Sequence, residues 1–142
     1  MTHPEPAAAT VANRVCAAVN SHDLDRLVAC FSEDYVNETP AHPARGFRGR
    51  GQIRRNWEQI FSVVPDIEAT LLSSDQVADR VWSEWEMKGR RRDGAEHLMR
   101  GVMIFTVVDD EVSAVRFYLE PVDARRDDAD VAIVHLLSDA RP

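Results

Sequence analysis

The hydrophobic period of this chain changes once, at Pro65-Asp66, and that change limits what it can fold into. Before Val64 three segments carry apolar residues at helical spacing, with one short extended piece and a loop between them; from Asp66 to Leu119 apolar residues alternate with polar ones. Helices first and a long curved antiparallel sheet afterwards is an α+β plan, in which the sheet wraps the helices on its concave side.

Ala8, Val11, Val15, Ala18 and Val19 predict a first helix, and Asn20-Ser21-His22-Asp23 ends it while capping a second. The second carries Leu24, Leu27, Val28 and Phe31 on one face. A short extended piece, Tyr35 to Thr39, follows before Pro40 and Pro43 force a loop. Gly46, Gly49 and Gly51 keep that loop open until a third helix begins near Gln52, with Ile53, Trp57, Ile60 and Phe61 inward. Pro65 ends it. Strands are expected over Ile67 to Leu72, Arg80 to Lys88, Glu96 to Val108 and Val112 to Leu119. The turns between them fall at Ser73-Ser74-Asp75, Arg92-Asp93-Gly94 and Asp109-Asp110. The expected organisation is a disordered lead over 1–7, one domain over 8–122, and a tail over 123–142 with a short helix suggested by Val131, Val134 and Leu137.

A single domain of 142 residues buries ~70% of its unfolded surface, enough for a core and one ligand cavity. A net charge of -7 argues against nucleic acid as the main partner, since a phosphate backbone would be repelled. The basic clusters Arg45, Arg48, Arg50, Arg54, Arg55 and Lys88, Arg90, Arg91, Arg92 read as a solvated loop and a charged hairpin tip. Cys16 and Cys30 sit in apolar helical patterns without metal-ligand spacing, so buried free thiols in a reducing compartment are expected. No His, Cys and acid cluster has metal spacing and the glycines form no phosphate loop, so neither metal nor cofactor is implied. The first residues lack a basic region with an apolar core behind it, and no apolar run approaches the ~20 residues of a membrane span; a cytoplasmic protein is expected, with no membrane partner.

The order of elements, with Asn20-Ser21-His22-Asp23-Leu24-Asp25 between two helices and Phe31-Ser32-Glu33-Asp34 before the first strand, resembles the cone-shaped α+β barrel superfamily. That superfamily joins ketosteroid isomerases, limonene-epoxide hydrolases, SnoaL-like polyketide cyclases and nuclear-transport-factor-like binding domains. The resemblance covers about 8 to 122 and implies N-terminal helices packed in the concave face of a curved mixed, mostly antiparallel sheet. More locally, His42-Pro43-Ala44-Arg45-Gly46-Phe47, Asn56-Trp57, Val64-Pro65-Asp66, Trp82-Ser83-Glu84-Trp85, Arg100-Gly101-Val102 and Arg116 to Val122 look like an actinobacterial SnoaL-like subgroup. Of the 17 basic residues only Lys88 is lysine, which fits a GC-rich genome.

The enzyme templates of that superfamily are matched unequally. For a ketosteroid isomerase, Thr39, Val15 and Val102 or Met103 stand where the base and two oxyanion donors would be, so all three roles are lost. For a limonene-epoxide hydrolase, Tyr35-Val36-Asn37 supplies the water-holding pair, but Trp85, Met87 and Phe117 replace the later acid-base set. A paired-carboxylate epoxide-opening site would have only Glu38 with Asp66 or Glu68. A SnoaL-like cyclase implies an acid near the end of the last strand and commonly a histidine on the central hairpin; Glu120 meets the first, and His97 or His42 the second.

The last strand pattern, Val115 to Val122, puts Val115, Phe117 and Leu119 on one face and Arg116, Tyr118 and Glu120 on the other. Under the cyclase resemblance Glu120 is the acid-base group, helped by a hydrogen bond from Tyr118. Tyr35, Asn37 and His42 are the polar contacts and Trp57, Trp85, Met103 and Phe105 the apolar ones. Arg116 is expected to pair with Glu84, which frees Glu120, or with Glu120, which makes that acid a brace. The functional expectation is cofactor-free acid-base chemistry, such as cyclisation, isomerisation or epoxide opening, on a hydrophobic small molecule. The alternative is a module of the same fold that binds without catalysis. Val102, Ile104 and Trp82 make the second sheet face apolar as well, which leads to a homodimer.

Overall fold

The computed structural model describes residues 7–138. Its helices are α1 (Ala7–Ser21), α2 (Leu24–Val28), α3 (Arg50–Val63) and α4 (Ala129–Ser138). Its strands are β1 (Phe31–Glu38), β2 (Phe47–Arg48), β3 (Glu68–Val77), β4 (Arg80–Arg90), β5 (Glu96–Val108) and β6 (Glu111–Pro121). They form one six-stranded sheet in the order β2-β1-β6-β5-β4-β3. Every pairing is antiparallel except β1 with β6, which is parallel, so the sheet is mixed. It is an α+β cone left open, with β2 and β3 as its edges rather than a closed barrel.

The alternation of β4, β5 and β6 sorts their side chains as the period of two requires. Val81, Ser83, Trp85 and Met87 of β4, Met103, Phe105 and Val107 of β5, and Val115 and Leu119 of β6 are buried on the concave face. Against them α1 lays Val11, Val15, Ala18 and Val19, and α3 lays Ile53, with Trp57, Ile60 and Phe61 packed at the margin. Burying each Val or Ile side chain contributes about 1.5–3 kcal/mol, which makes this face the main source of cohesion. Asp23 caps α2 by accepting from the Arg26 backbone N–H at 3.1 Å.

Asn20, beside that cap, has a further task. Its side-chain amide donates to the Ala69 carbonyl at 2.9 Å and accepts from the Ala69 N–H at 2.7 Å. The amide thus occupies the hydrogen-bonding edge of β3 as another strand would, and fixes α1 to the sheet. His22 donates from Nε2 to the Ile67 carbonyl at 2.7 Å and stacks on Phe61, tightening the same corner.

Several element bounds differ from the sequence reading. Phe31 opens β1 rather than closing a helix, because α2 stops at Val28 and the register of β1 on β6 shifts between Phe31 and Val36. Ser73-Ser74-Asp75 lie inside β3 instead of turning; the turn falls at Ala78-Asp79, with Ala78 at φ 55°. An edge strand exposes one flank and tolerates such polar residues, which is why turn-type chemistry misled there. The two-residue β2 was not anticipated, and α3 starts two residues early at Arg50. The span of β5 agrees with the sequence reading throughout. Past Pro121, residues 122–128 have no regular structure and α4 follows, its apolar side chains exposed, Leu137 by 69%. Of the lead expected over 1–7, only Ala7 is described, and it begins α1. Among the described residues no helix is long and apolar enough to cross a membrane.

Candidate functional site

Where α3 diverges from the sheet, the concave face encloses a cavity of about 340 Å³. This volume lies in the range that takes a small organic ligand. Ile53, Trp57 and Ile60 of α3 form one wall; Met87, Met103, Phe105 and Phe117 form the wall opposite. The polar lining is sparse: Tyr35, Asn37, Thr39, Arg45, Asn56 and His97.

Tyr35 and Asn37 of β1 and Thr39 just past its end stand at alternate positions and so face one side. Their side chains form a short chain of hydrogen bonds: Tyr35 Oη donates to Asn37 Oδ1 at 3.0 Å, and Asn37 Nδ2 donates to Thr39 Oγ1 at 3.1 Å. All three are buried, and the Tyr35 ring is held by Phe31 and Phe47 at centroid distances of 4.9 and 5.9 Å. Burial pushes the Tyr35 phenol well above its ordinary pKa, so it stays protonated and acts as a donor. His97 reaches the cavity from β5, and its pKa is lowered first by burial and then by Arg91.

The sequence-expected residues fall into three groups. Tyr35, Asn37, Trp57, Met103 and Phe105 line the cavity together. Trp85 does not line it; the indole is fully buried beneath the lining and its Nε1 donates to Ser83 Oγ at 2.7 Å. Glu120, Tyr118 and His42 lie off the lining. Glu120 and Tyr118 project from the convex face because they alternate with Leu119 and Phe117, as the strand period dictates. His42 Nε2 donates to Glu120 Oε1 at 2.8 Å, which ties the loop after β1 to the end of β6. Arg116 holds neither of the partners expected for it. It donates to Glu38 at 3.3 Å and to the Tyr118 hydroxyl at 3.4 Å. Arg100, between Glu86 and Glu120 in register, bonds Glu86 at 2.9 Å. Among the described residues no group of His, Cys, Asp and Glu could hold a metal ion.

A SnoaL-like domain model matches residues 12–115, which take in most of α1, all of α2 and α3, and the sheet as far as the first half of β6. The chain belongs to the SnoaL-like family. No curated protein matches the sequence. Solved structures similar to this SnoaL-like chain include an LEH-like epoxide hydrolase from M. tuberculosis, at 17% identity, TM-score 0.69, covering 80% of this chain and 83% of that one. A protein of ketosteroid isomerase-like fold from Catenulispora acidiphila, in complex with trimethylamine, aligns at 17% identity and TM-score 0.67 over 82% of this chain and 87% of that one. An NTF2-like protein of unknown function from Cytophaga hutchinsonii aligns at 9% identity and TM-score 0.61, over 84% and 95%. At such identities these likenesses establish the fold and leave the chemistry to the site.

Sequence reasoning did not assign Thr39, Arg45, Asn56 and Phe117 to the SnoaL-like cavity. Phe117 and Thr39 carried a usable signal, since they share a face with Leu119 and with Asn37 respectively. Arg45 carried none, because its position depends on how the loop from Pro40 to Gly46 folds back over the cavity mouth.

Proposed function

We propose that this SnoaL-like protein binds a hydrophobic small molecule in the cavity between α3 and the sheet, and that binding rather than turnover is its primary act. The observation that carries this reading is the lining itself: apolar throughout except for a few uncharged groups and Arg45, with no carboxylate. A general acid or base of the carboxylate type must lie within hydrogen-bond reach of the reacting atoms. Glu120, bonded to His42 on the other side of the sheet, does not meet that condition for a ligand in the cavity. Free thiols at Cys16 and Cys30, both raised in pKa mainly by burial, suit a reducing, cytoplasmic setting. A homodimer through the convex face belongs to the same reading, supported by the exposure of Trp82 (46%) and Tyr118 (38%) on that face.

A second reading, cofactor-free acid-base chemistry, is favoured by one feature. Burial and Arg91 keep His97 neutral at pH 7, and a neutral imidazole in the lining accepts a proton. The test is thermal protection by a panel of apolar ketones, epoxides and polyketide-like aromatics, with product analysis on every ligand that protects. Binding at 100 times Kd stabilises by about 2.7 kcal/mol, so a hit is plain. Protection that disappears in Ile60→Trp, which fills the cavity, with no product formed, is the expected result. Protection by nothing in the panel, or by ligands that Ile60→Trp still binds, sinks the proposal. Turnover that His97→Gln abolishes while binding persists moves the assignment to the second reading.

A further inference from the structure

The polar groups of the cavity are one-sided in what they offer. Asn37 Oδ1 already accepts from Tyr35, Thr39 Oγ1 from Asn37, and Asn56 Oδ1 from Gln52 Nε2 at 2.7 Å. Apart from His97, whose neutral ring offers one donor and one acceptor, what remains for a ligand is chiefly donors: the second N–H of Asn37, the Thr39 hydroxyl proton, the Asn56 amide N–H groups and the guanidinium of Arg45. A ligand that satisfies this set presents acceptors.

Arg45 adds a charge to that pattern. Arg50, Arg54, Arg91, Arg100 and Arg116 each meet a carboxylate, whereas Arg55 bonds Gln52 and Arg80 lies over the Trp82 ring, both outside the cavity. Among the described residues the Arg45 side chain meets no carboxylate, although the chain carries a net charge of -7. It lines the cavity instead. Nor is its backbone loose: Arg45 N–H donates to the His42 carbonyl at 2.9 Å, Gly46 N–H to Pro43 at 3.2 Å, and His42 N–H to Thr39 at 2.8 Å. The His42–Glu120 bond pins this turn to β6, which makes Glu120 a positioning residue for Arg45.

We infer that the ligand is an apolar carboxylic acid, bound with its body in the cavity and its carboxylate on Arg45 at the mouth. The inference rests on the binding reading above and names its ligand class. A guanidinium presents paired N–H groups that match the two oxygens of a carboxylate, and the Thr39 and Asn37 donors continue inward from the mouth. His97, held neutral, leaves Arg45 as the one fixed charge of the lining.

A near-isosteric series tests it: 2-naphthoate, 2-acetylnaphthalene, 2-ethylnaphthalene and 2-naphthyl phosphate, titrated at pH 7.5 into wild type and Arg45→Gln with tryptophan fluorescence as the readout. In wild type 2-naphthoate is expected to bind tightest, about tenfold tighter than 2-ethylnaphthalene, as one charge-assisted hydrogen-bond pair implies. Arg45→Gln is expected to bring 2-naphthoate down to the affinity of 2-ethylnaphthalene, and a urea midpoint matching wild type shows that the variant is folded. Equal binding of the acid and the hydrocarbon, or an Arg45→Gln variant that still prefers the acid, overturns the inference while leaving the binding reading standing. Tighter binding of the phosphate overturns the carboxylate assignment. Failure of all four compounds to bind removes both the inference and the reading beneath it.

Discussion

Gly101 is the position where a single atom would do most harm. It has φ 154°, and a Cβ there would lie 2.8 Å from the Leu119 Cα and closer still to the Tyr118 carbonyl oxygen. Gly101→Ala is therefore expected to destabilise the protein by about 2 kcal/mol or more, measured by urea unfolding. His97 gives a different kind of test. Its folded pKa lies below the ordinary value of 6.5, so on acidification the unfolded chain takes up the proton first. Stability should then fall as pH drops below 6.5 towards the folded pKa and level off beneath it. His97→Gln should lose less stability than wild type between pH 7.5 and 5.5, read as the shift in urea midpoint. From sequence, His97 was one of two candidate histidines, near the hairpin tip that Lys88 and Arg90 to Arg92 make charged. The alternation along β5 was legible, but how far the cone closes over that tip depends on sheet curvature, which no residue type encodes.

Asn20 and Tyr35 show how one side chain settles the relation between elements. Asn20→Ala leaves the Ala69 N–H on the β3 edge without its partner and the Ala69 carbonyl with only the weak Cys16 thiol donor at 3.5 Å, at a cost of about 2 kcal/mol. Its urea midpoint should drop accordingly. Tyr35→Phe removes the donor to buried Asn37 Oδ1 and should cost about 1–2 kcal/mol. A Tyr35→Phe/Asn37→Leu pair should cost less than the sum of its parts in a double-mutant cycle. Helix and strand types were legible because the period is set locally, as the full agreement over Glu96–Val108 illustrates. The Asn20 bridge was not, since the same residue at a helix end reads equally well as a cap. For the same reason Tyr35-Val36-Asn37 was recognisable as a polar pair while its connection to Thr39 was not. That connection needs β1 to keep one face towards the cavity beyond the shifted register at Phe31–Val36.

The molecule as a whole divides at Pro121. Residues 122–128 lack regular structure and α4 carries no buried residue, so removal of 123–142 should move Tm by less than about 2 °C, well under what 1 kcal/mol would produce in a small domain. A larger drop would show that α4 packs on the domain in solution. Inside the boundary the parallel pairing of β1 with β6 has a consequence in time. Glu38 and Arg116, bonded across that pairing, are 78 residues apart in sequence, whereas β3 to β6 meet one another through short turns. Contacts that close long loops form late. During synthesis the meander can therefore assemble strand by strand as it emerges, while β1, with Tyr35, Asn37 and Thr39, waits for the last strand to leave the ribosome. The polar wall of the cavity is encoded near the start of the chain and is completed at the end of folding.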